Sequence, residues 1–483
     1  MSEPRLPELP TRAARIGLWA GPALALLIWA LPFDQLTPAA HRLAAVTVWV
    51  AAWWMTEAVP LAIASLLPLV LLPLGGIRSA EQTAVGYGSD LIWLFFGGFQ
   101  LAFALERWGL HRRMAAFIVR RVGARPDRLV LGFILAAGLL SMWLMNTSVT
   151  LMLLPVTVAV AHALEGEKPG PISAALLLGM GYAASLGGMG TYLGTAPNLV
   201  FANMARKFGA EVSFSDWMLV CAPLALILLV LLWLFLTRFA FKVPREAMST
   251  EAPALAALLA PAAPWTRAER RTAVIFLLTV VAWIFGRKLL SVLDFPPKYV
   301  TDATIAMAGA AALWLVPAGR GEGPLLRWTD SAHTPWPILF LFGGGLAIAD
   351  GFESTGLSAW MGQSLASMTA GLPFPVVMLI VILLITALSE IASNVATATL
   401  MLPVVGALAQ AMHLPAVALM LPATLAASCG FMLPVATPPN AIVYASGRFR
   451  IADMTRAGLG LDLICAVVIT AWMLLWGGRV LGF

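Results

Sequence analysis

Polar residues that a lipid-facing helix does not need occur twice in this chain, in the same order. Met145-Asn146-Thr147 lies inside an apolar stretch and is followed by Gly194-Thr195-Ala196-Pro197-Asn198. Ser393-Asn394-Val395 lies inside a second apolar stretch and is followed by Ala436-Thr437-Pro438-Pro439-Asn440. A chain that turns within a bilayer frees backbone groups from their helical partners. Freed carbonyls, with Ser and Asn oxygens, suit a hard cation such as Na⁺. Amide N–H groups at the start of a half-helix suit a carboxylate or another oxyanion. An Asn side chain offers both a donor and an acceptor, so Asn146 and Asn394 could each face cation and anion at once. Pro197, Pro438 and Pro439 interrupt their helices, and Pro suits the first position of a restarted one. Thr195 and Thr437 then stand at the breaks. No Arg or Lys lies within the four motifs, so an anion held there needs helix ends and a co-bound cation to balance it.

The elements that must carry these residues are membrane helices. Of 483 residues 60% are hydrophobic and 11% charged, against about 45–50% and 25% in soluble domains. The net charge of +6 comes from basic loops and not from a nucleic-acid-binding tract. A span needs about 20 apolar residues. Nine stretches are candidate spans: Ile16–Leu31, Leu43–Thr56, Leu61–Leu74, Leu91–Glu106, Trp217–Thr237, Thr272–Phe285, Ala303–Val316, Trp336–Ala349 and Gly458–Trp476. Four more are broken by polar residues: Leu129–Ala163, Ser173–Ala205, Val376–Ala411 and Ala416–Ser446.

Charge decides the orientation. With the N-terminus cytoplasmic, and with Leu129–Ala163 and Val376–Ala411 each entering and leaving by one face, most Lys and Arg fall inside. The basic segments are His111 to Arg128, Arg238 to Arg271, Arg320 to Arg327 and Arg448 to Arg456. Gly351–Pro373, without Lys or Arg, falls outside. The first hairpin then opens inward and the second outward, an inverted repeat with its site near the midplane. Leu94-Phe95-Phe96-Gly97-Gly98 parallels Phe340-Leu341-Phe342-Gly343-Gly344, and Pro155 follows Asn146 as Pro403 follows Asn394. His111–Arg125 alternates basic and apolar residues at helical spacing, as a helix lying on the inner surface does. The Ala- and Pro-rich Met248–Pro264 reads as a linker.

The remaining polar residues have plainer readings. Cys221, Cys429 and Cys465 lie in apolar segments and read as packing residues. The five His form no metal-binding pair. Glu57 and Glu390 are expected to pin helix ends or a hairpin, with an ion relay as the alternative. Asp90 and Asp350 border spans and are expected to be solvated or capping. A membrane enzyme is disfavoured, since no paired carboxylates with ligating His and no nucleophile motif occur.

The motifs resemble those of the divalent anion:sodium symporter family, which carries dicarboxylates and citrate. The matching strings are Ser141 to Thr147, Gly194 to Asn198, Ser389 to Val395 and Leu433 to Ile442, with Met55-Thr56-Glu57-Ala58-Val59-Pro60 as a further likeness. The resemblance covers essentially the whole chain. It implies an all-α integral membrane fold with about 11 transmembrane helices plus the two re-entrant hairpins. It implies a homodimer of the elevator type in the plasma or inner membrane, with scaffold helices in 1–128 and 272–372. A transport domain would comprise 129–241 and 373–483, and 242–271 would be a cytoplasmic linker.

One sodium site would use Ser141, the Met145 carbonyl, Asn146 and Gly194, and the other Ser389, Ala392, Asn394 and Ala436. The anion would meet Asn146, Thr147, Asn394, Val395, Thr437 and Pro438. The activity implied is Na⁺ co-transport of a small divalent anion, most simply a C4-dicarboxylate. A sodium-independent exchanger, a sulfate or oxyanion carrier, and an anion channel are the alternatives. Three departures stand out. Met145 replaces a Ser, removing an oxygen from the first sodium site. Val395 replaces a Thr found in some members. Ala196 shifts the first Thr-Pro pair by one residue.

Overall fold

The computed structural model of the protein describes residues 12–33, 35–123, 125–245, 263–292, 294, 296 and 299–482. Most of the expected linker Met248–Pro264 lies outside them. The described residues form helices and connecting turns, with no β-strand. Helices α1 (Arg12–Ala30), α2 (Pro38–Thr56), α3 (Leu61–Leu66), α4 (Pro68–Leu74), α5 (Ala80–Val85) and α6 (Asp90–Arg107) lead to the amphipathic α7 (Leu110–Val122). Next come α8 (Pro126–Ser141), α9 (Asn146–Glu165), α10 (Pro171–Gly188), α11 (Pro197–Lys207) and α12 (Phe214–Leu234), which continues as π-helical turns to Ala240.

The second half begins with α13 (Arg267–Val292), α14 (Asp302–Leu315), α15 (Trp336–Thr355) and α16 (Leu357–Met368). It ends with α17 (Phe374–Ile391), α18 (Asn394–Ala411), α19 (Val417–Ala427), α20 (Pro438–Tyr444), α21 (Ile451–Trp472) and α22 (Gly478–Leu481). Nine helices among the described residues are long and apolar enough to cross a membrane.

One sequence expectation changes. Leu61–Leu74 is not one span: Leu67-Pro68 divides it into α3 and α4, because Pro lacks an N–H and clashes with the preceding turn. The stretch Gly351–Pro373 is largely helical. It carries the end of α15, a left-handed Gly356 and then α16.

Both hairpins dip into the bundle and return. The Trp233 indole, late in α12, donates to the Asp127 carbonyl at the start of α8 at 2.8 Å. At the end of α9, Glu165 accepts from the Gly170, Ile172 and Ser173 amides that open α10. Leu236, beyond α12, packs against Gly179 of α10. Both ends of the α8–α9 pair therefore lie at one end of the bundle.

The tip of this pair lies at the other end of α10, where Gly187 meets the Gly138 backbone so closely that a Cβ has no room. Small residues let membrane helices approach this way. The second pair repeats this arrangement. Ser389 at its tip donates to the Ala427 carbonyl at the end of α19 at 2.9 Å. At its base α16 packs along α18, with Gly362 against Ala407.

The two halves interlock. Helix α11 of the first half packs along α18 of the second, and α20 of the second packs along α9 of the first. This exchange brings α9, α11, α18 and α20, which begin at the four motifs, into one bundle.

Candidate ion and anion site

The first tip closes around Asn146. Its terminal amide lies 2.5 Å from Ser141 Oγ, 3.0 Å from the Gly194 carbonyl and 3.1 Å from the Ala184 carbonyl. With the amide nitrogen turned inward, the NH₂ group is shared among all three oxygens. With the oxygen turned inward, four oxygens face one another. In that arrangement the Ser141 hydroxyl donates to the Asn146 oxygen, and the Gly194 and Ala184 carbonyls face it with no proton between them; an all-oxygen donor set of this kind suits a hard ion. Glycine makes the cluster possible. A Cβ on Gly188 would stand 2.7 Å from the Asn146 amide, and one on Gly194 would stand 2.7 Å from the Ser141 carbonyl. The sequence pointed to Ser141, Asn146 and Gly194; it did not point to Ala184, an apolar residue that contributes only its backbone.

Met145 directly precedes this cluster. It is the N-cap of α9, and its carbonyl accepts from the Val149 amide at 3.1 Å. Its side chain packs against the apolar core. Beside the tip, the Thr191 hydroxyl donates to the Met142 carbonyl, a tie that no motif marked.

The second tip repeats the plan with different detail. Ser389 is buried, and its carbonyl lies against Gly430, which also touches Ala436. Ala392 is extended between α17 and α18. Asn394 Oδ1 is buried without a hydrogen-bond partner. A buried amide oxygen left unpaired costs about 1–3 kcal/mol, and a cation or a ligand N–H or O–H would remove that cost. Glu390 accepts from the Met432 and Leu433 amides at 2.8 and 3.1 Å. It thereby pins the hairpin to the second break, the structural role expected of it. Glu57 caps α2 in a left-handed conformation at an exposed position.

The breaks are held by two Asn residues. Asn198 Nδ2 donates to the Gly188 and Thr191 carbonyls at 2.9 and 2.7 Å. Asn440 Nδ2 donates to the Gly430 and Leu433 carbonyls at 2.9 and 3.0 Å. Anchored on these residues, Thr195 aligns with Thr437 and Pro197 with Pro439. The first Thr is therefore not shifted, as the sequence alone suggested; Ala196 simply stands where the second copy has Pro438.

Thr437 is buried and caps α20 by accepting from the Asn440 amide at 3.3 Å. Pro438 is exposed as the first residue of α20. Thr147 and Val395 are the second residues of α9 and α18, both half-buried. Helices of 20 and 18 residues thus begin at Asn146 and Asn394, presenting the positive ends of their dipoles.

Asp90 and Asp350 are neither merely solvated nor merely capping. Asp90 pairs with Arg206 at 2.8 Å. Asp350 pairs with Arg78 at 2.5 Å and with Lys207. Their partners lie far away in sequence, so single-segment reading gave no sign of them.

The model of the sodium:sulfate symporter transmembrane region matches residues 14–483. A protein of Staphylococcus saprophyticus named sodium-dependent dicarboxylate transporter is 38% identical over 466 residues, 94% of this chain and 89% of that protein. Its namesake in Staphylococcus aureus strain USA300 is 38% identical over 467 residues, with the same coverage. Two solved structures share the fold. MtrF of Neisseria gonorrhoeae has a TM-score of 0.61 at 12% identity, over 88% of this chain and 96% of its own. The YdaH transporter of Alcanivorax borkumensis has a TM-score of 0.59 at 16% identity, over 90% and 98%. The chain is a multi-pass membrane protein and belongs to the sodium:sulfate symporter family, the divalent anion:sodium symporters.

Proposed function

We propose that this protein is a secondary transporter that couples Na⁺ to uptake of a small divalent anion, a C4-dicarboxylate such as succinate, malate or fumarate. The observation that carries this reading is the oxygen cluster of Ser141, Asn146, Gly194 and Ala184, matched by the unpaired Asn394 oxygen at the second tip. Na⁺ bound in the first cluster turns the Asn146 oxygen inward and its NH₂ group outward. The anion then meets a donor that exists only when the cation is in place, together with the N-terminal ends of α9 and α18. The second cation is assigned to Ser389, Ala392, Asn394 and Ala436, and the anion contacts to Asn146, Thr147, Asn394, Val395, Thr437 and Pro438. Met145 adds no side-chain oxygen to the first site. The names of the staphylococcal relatives support both the ion and the substrate class.

The protein works as a homodimer with its N-terminus cytoplasmic. The hairpins and broken helices, residues 129–241 and 373–483, slide as one body against the helices of 1–128 and 272–372. The interlocking of α11 with α18 and of α20 with α9 supports a single moving body.

Purified protein in liposomes tests this reading. Labelled succinate should accumulate only under an inward Na⁺ gradient. Uptake that ignores Na⁺ but requires internal dicarboxylate would instead identify an exchanger, and single-channel currents a channel.

A further inference from the structure

We propose that Lys207 and Arg206, at the end of α11, form an ionic latch that holds the sliding body in the position seen here. The proposal rests on the sliding motion above. The two residues are adjacent yet grip different helices of the surrounding group: Arg206 pairs with Asp90 of α6 at 2.8 Å, and Lys207 pairs with Asp350 of α15. Lys207 Nζ also donates to the Leu346 carbonyl at 2.9 Å, one turn below Asp350 on the same face of α15. A shift of α11 along α15 by a single turn, about 5.4 Å, breaks both contacts.

The Lys207 pair is the stronger half. The side chains of Lys207 and Asp350 are 17% and 23% exposed, against 41% and 38% for Arg206 and Asp90. Exposed pairs contribute little. Removing the partner of a shielded charge is costly, and Asp350 avoids that cost. Arg78, 15% exposed, pairs with its other oxygen at 2.5 Å and stays when Lys207 leaves. Asp350 thus has one resident cation and one that departs, as a releasable contact requires.

The second half of the chain provides a contrast. Arg448 follows Asn440 at the interval by which Arg206 follows Asn198. It donates to the Gly166 carbonyl and Ser173 Oγ at 3.0 and 3.1 Å, both within the sliding body. The end of α11 grips the surrounding helices; the end of α20 grips its own body.

The test uses full-length protein in liposomes with spin labels at Glu167→Cys and Arg320→Cys. Both sites are exposed, one in each body, and the native thiols are buried. Pulsed electron resonance with Na⁺ and succinate should give two separations. Lys207→Gln should move their ratio about three- to tenfold away from the separation of this structure, and Lys207→Arg should keep it. Arg78→Gln makes Lys207 the sole partner of Asp350 and should move the ratio the opposite way. A merely structural role gives no such opposition, and Arg78→Gln decides the matter even if Lys207→Gln fails to fold. Two separations whose ratio ignores Arg78→Gln, or follows the direction of Lys207→Gln, would overturn the latch and leave the sliding motion standing. One separation under every condition, with Na⁺-driven uptake intact, would overturn both.

Discussion

Asn198 and Asn440 make the same pair of hydrogen bonds, each amide nitrogen reaching the carbonyls ten and seven residues before it. The residues bridged differ (Gly188 and Thr191 in one copy, Gly430 and Leu433 in the other), but the geometry does not. Each Asn fixes the shape of an unwound segment whose carbonyls have lost their helical donors. In a bilayer no water replaces those donors.

Asn198→Ala and Asn440→Ala should therefore act on folding. Asn198→Ala removes the donor for two buried carbonyls and Asn440→Ala for one buried and one partly buried carbonyl, at about 1–3 kcal/mol per buried carbonyl. Thermal unfolding in detergent should move down for both variants, and transport should fall with the amount of folded protein. Unchanged unfolding temperatures would contradict the role given to these side chains.

Asn146→Ala should behave differently. It removes the one side chain common to Ser141, Gly194 and Ala184, so uptake should be abolished while the protein stays folded. Ser141→Ala deletes only one oxygen of the cluster and should raise the half-saturating Na⁺ concentration about tenfold, near the value of one charge-assisted contact. Full transport by Asn146→Ala would refute the site.

Gly187→Ala tests the packing beneath the cluster. The added methyl would overlap the Gly138 backbone, and rigid neighbouring helices cannot yield to it. A loss of about 1–3 kcal/mol is expected from overpacking alone. Size-exclusion profiles and unfolding temperatures measure it; a wild-type profile would show that α8 and α10 are not locked together here.

Met145→Ser separates two effects. A Ser at the N-cap of α9 should stabilise the helix by about 0.5–2 kcal/mol. If its hydroxyl also reaches the cation, the half-saturating Na⁺ concentration falls. We expect both a higher unfolding temperature and a stronger Na⁺ dependence. A raised temperature with an unchanged Na⁺ curve would restrict Met145 to capping.

Much of the fold was legible because the bilayer imposes harsh rules. Apolar length marks spans, basic loops mark one face, and a polar tripeptide inside an apolar run has few explanations. Asn146 was legible because its motif repeats, and its grouping with Ser141 and Gly194 came from the family resemblance. Ala184 was not, since it contributes a carbonyl that any residue possesses. The ion pairs of Asp90 and Asp350 were illegible for another reason. Their partners Arg206, Arg78 and Lys207 sit in other segments, and only helix packing brings them near. Helix α16 was missed because its apolar run is shorter than a span. The register of Thr195 with Thr437 follows Asn198 and Asn440, whose side chains hold the two breaks, and not the neighbouring prolines.

The proposed coupling of cation to anion through Asn146 can be read most directly from ligand-induced stabilisation. Purified protein should gain thermal stability from succinate in Na⁺ buffer and none in K⁺ buffer, and Asn146→Ala should gain none in either. Equal stabilisation by succinate in K⁺ and in Na⁺ would contradict a site whose anion donor is exposed by the cation.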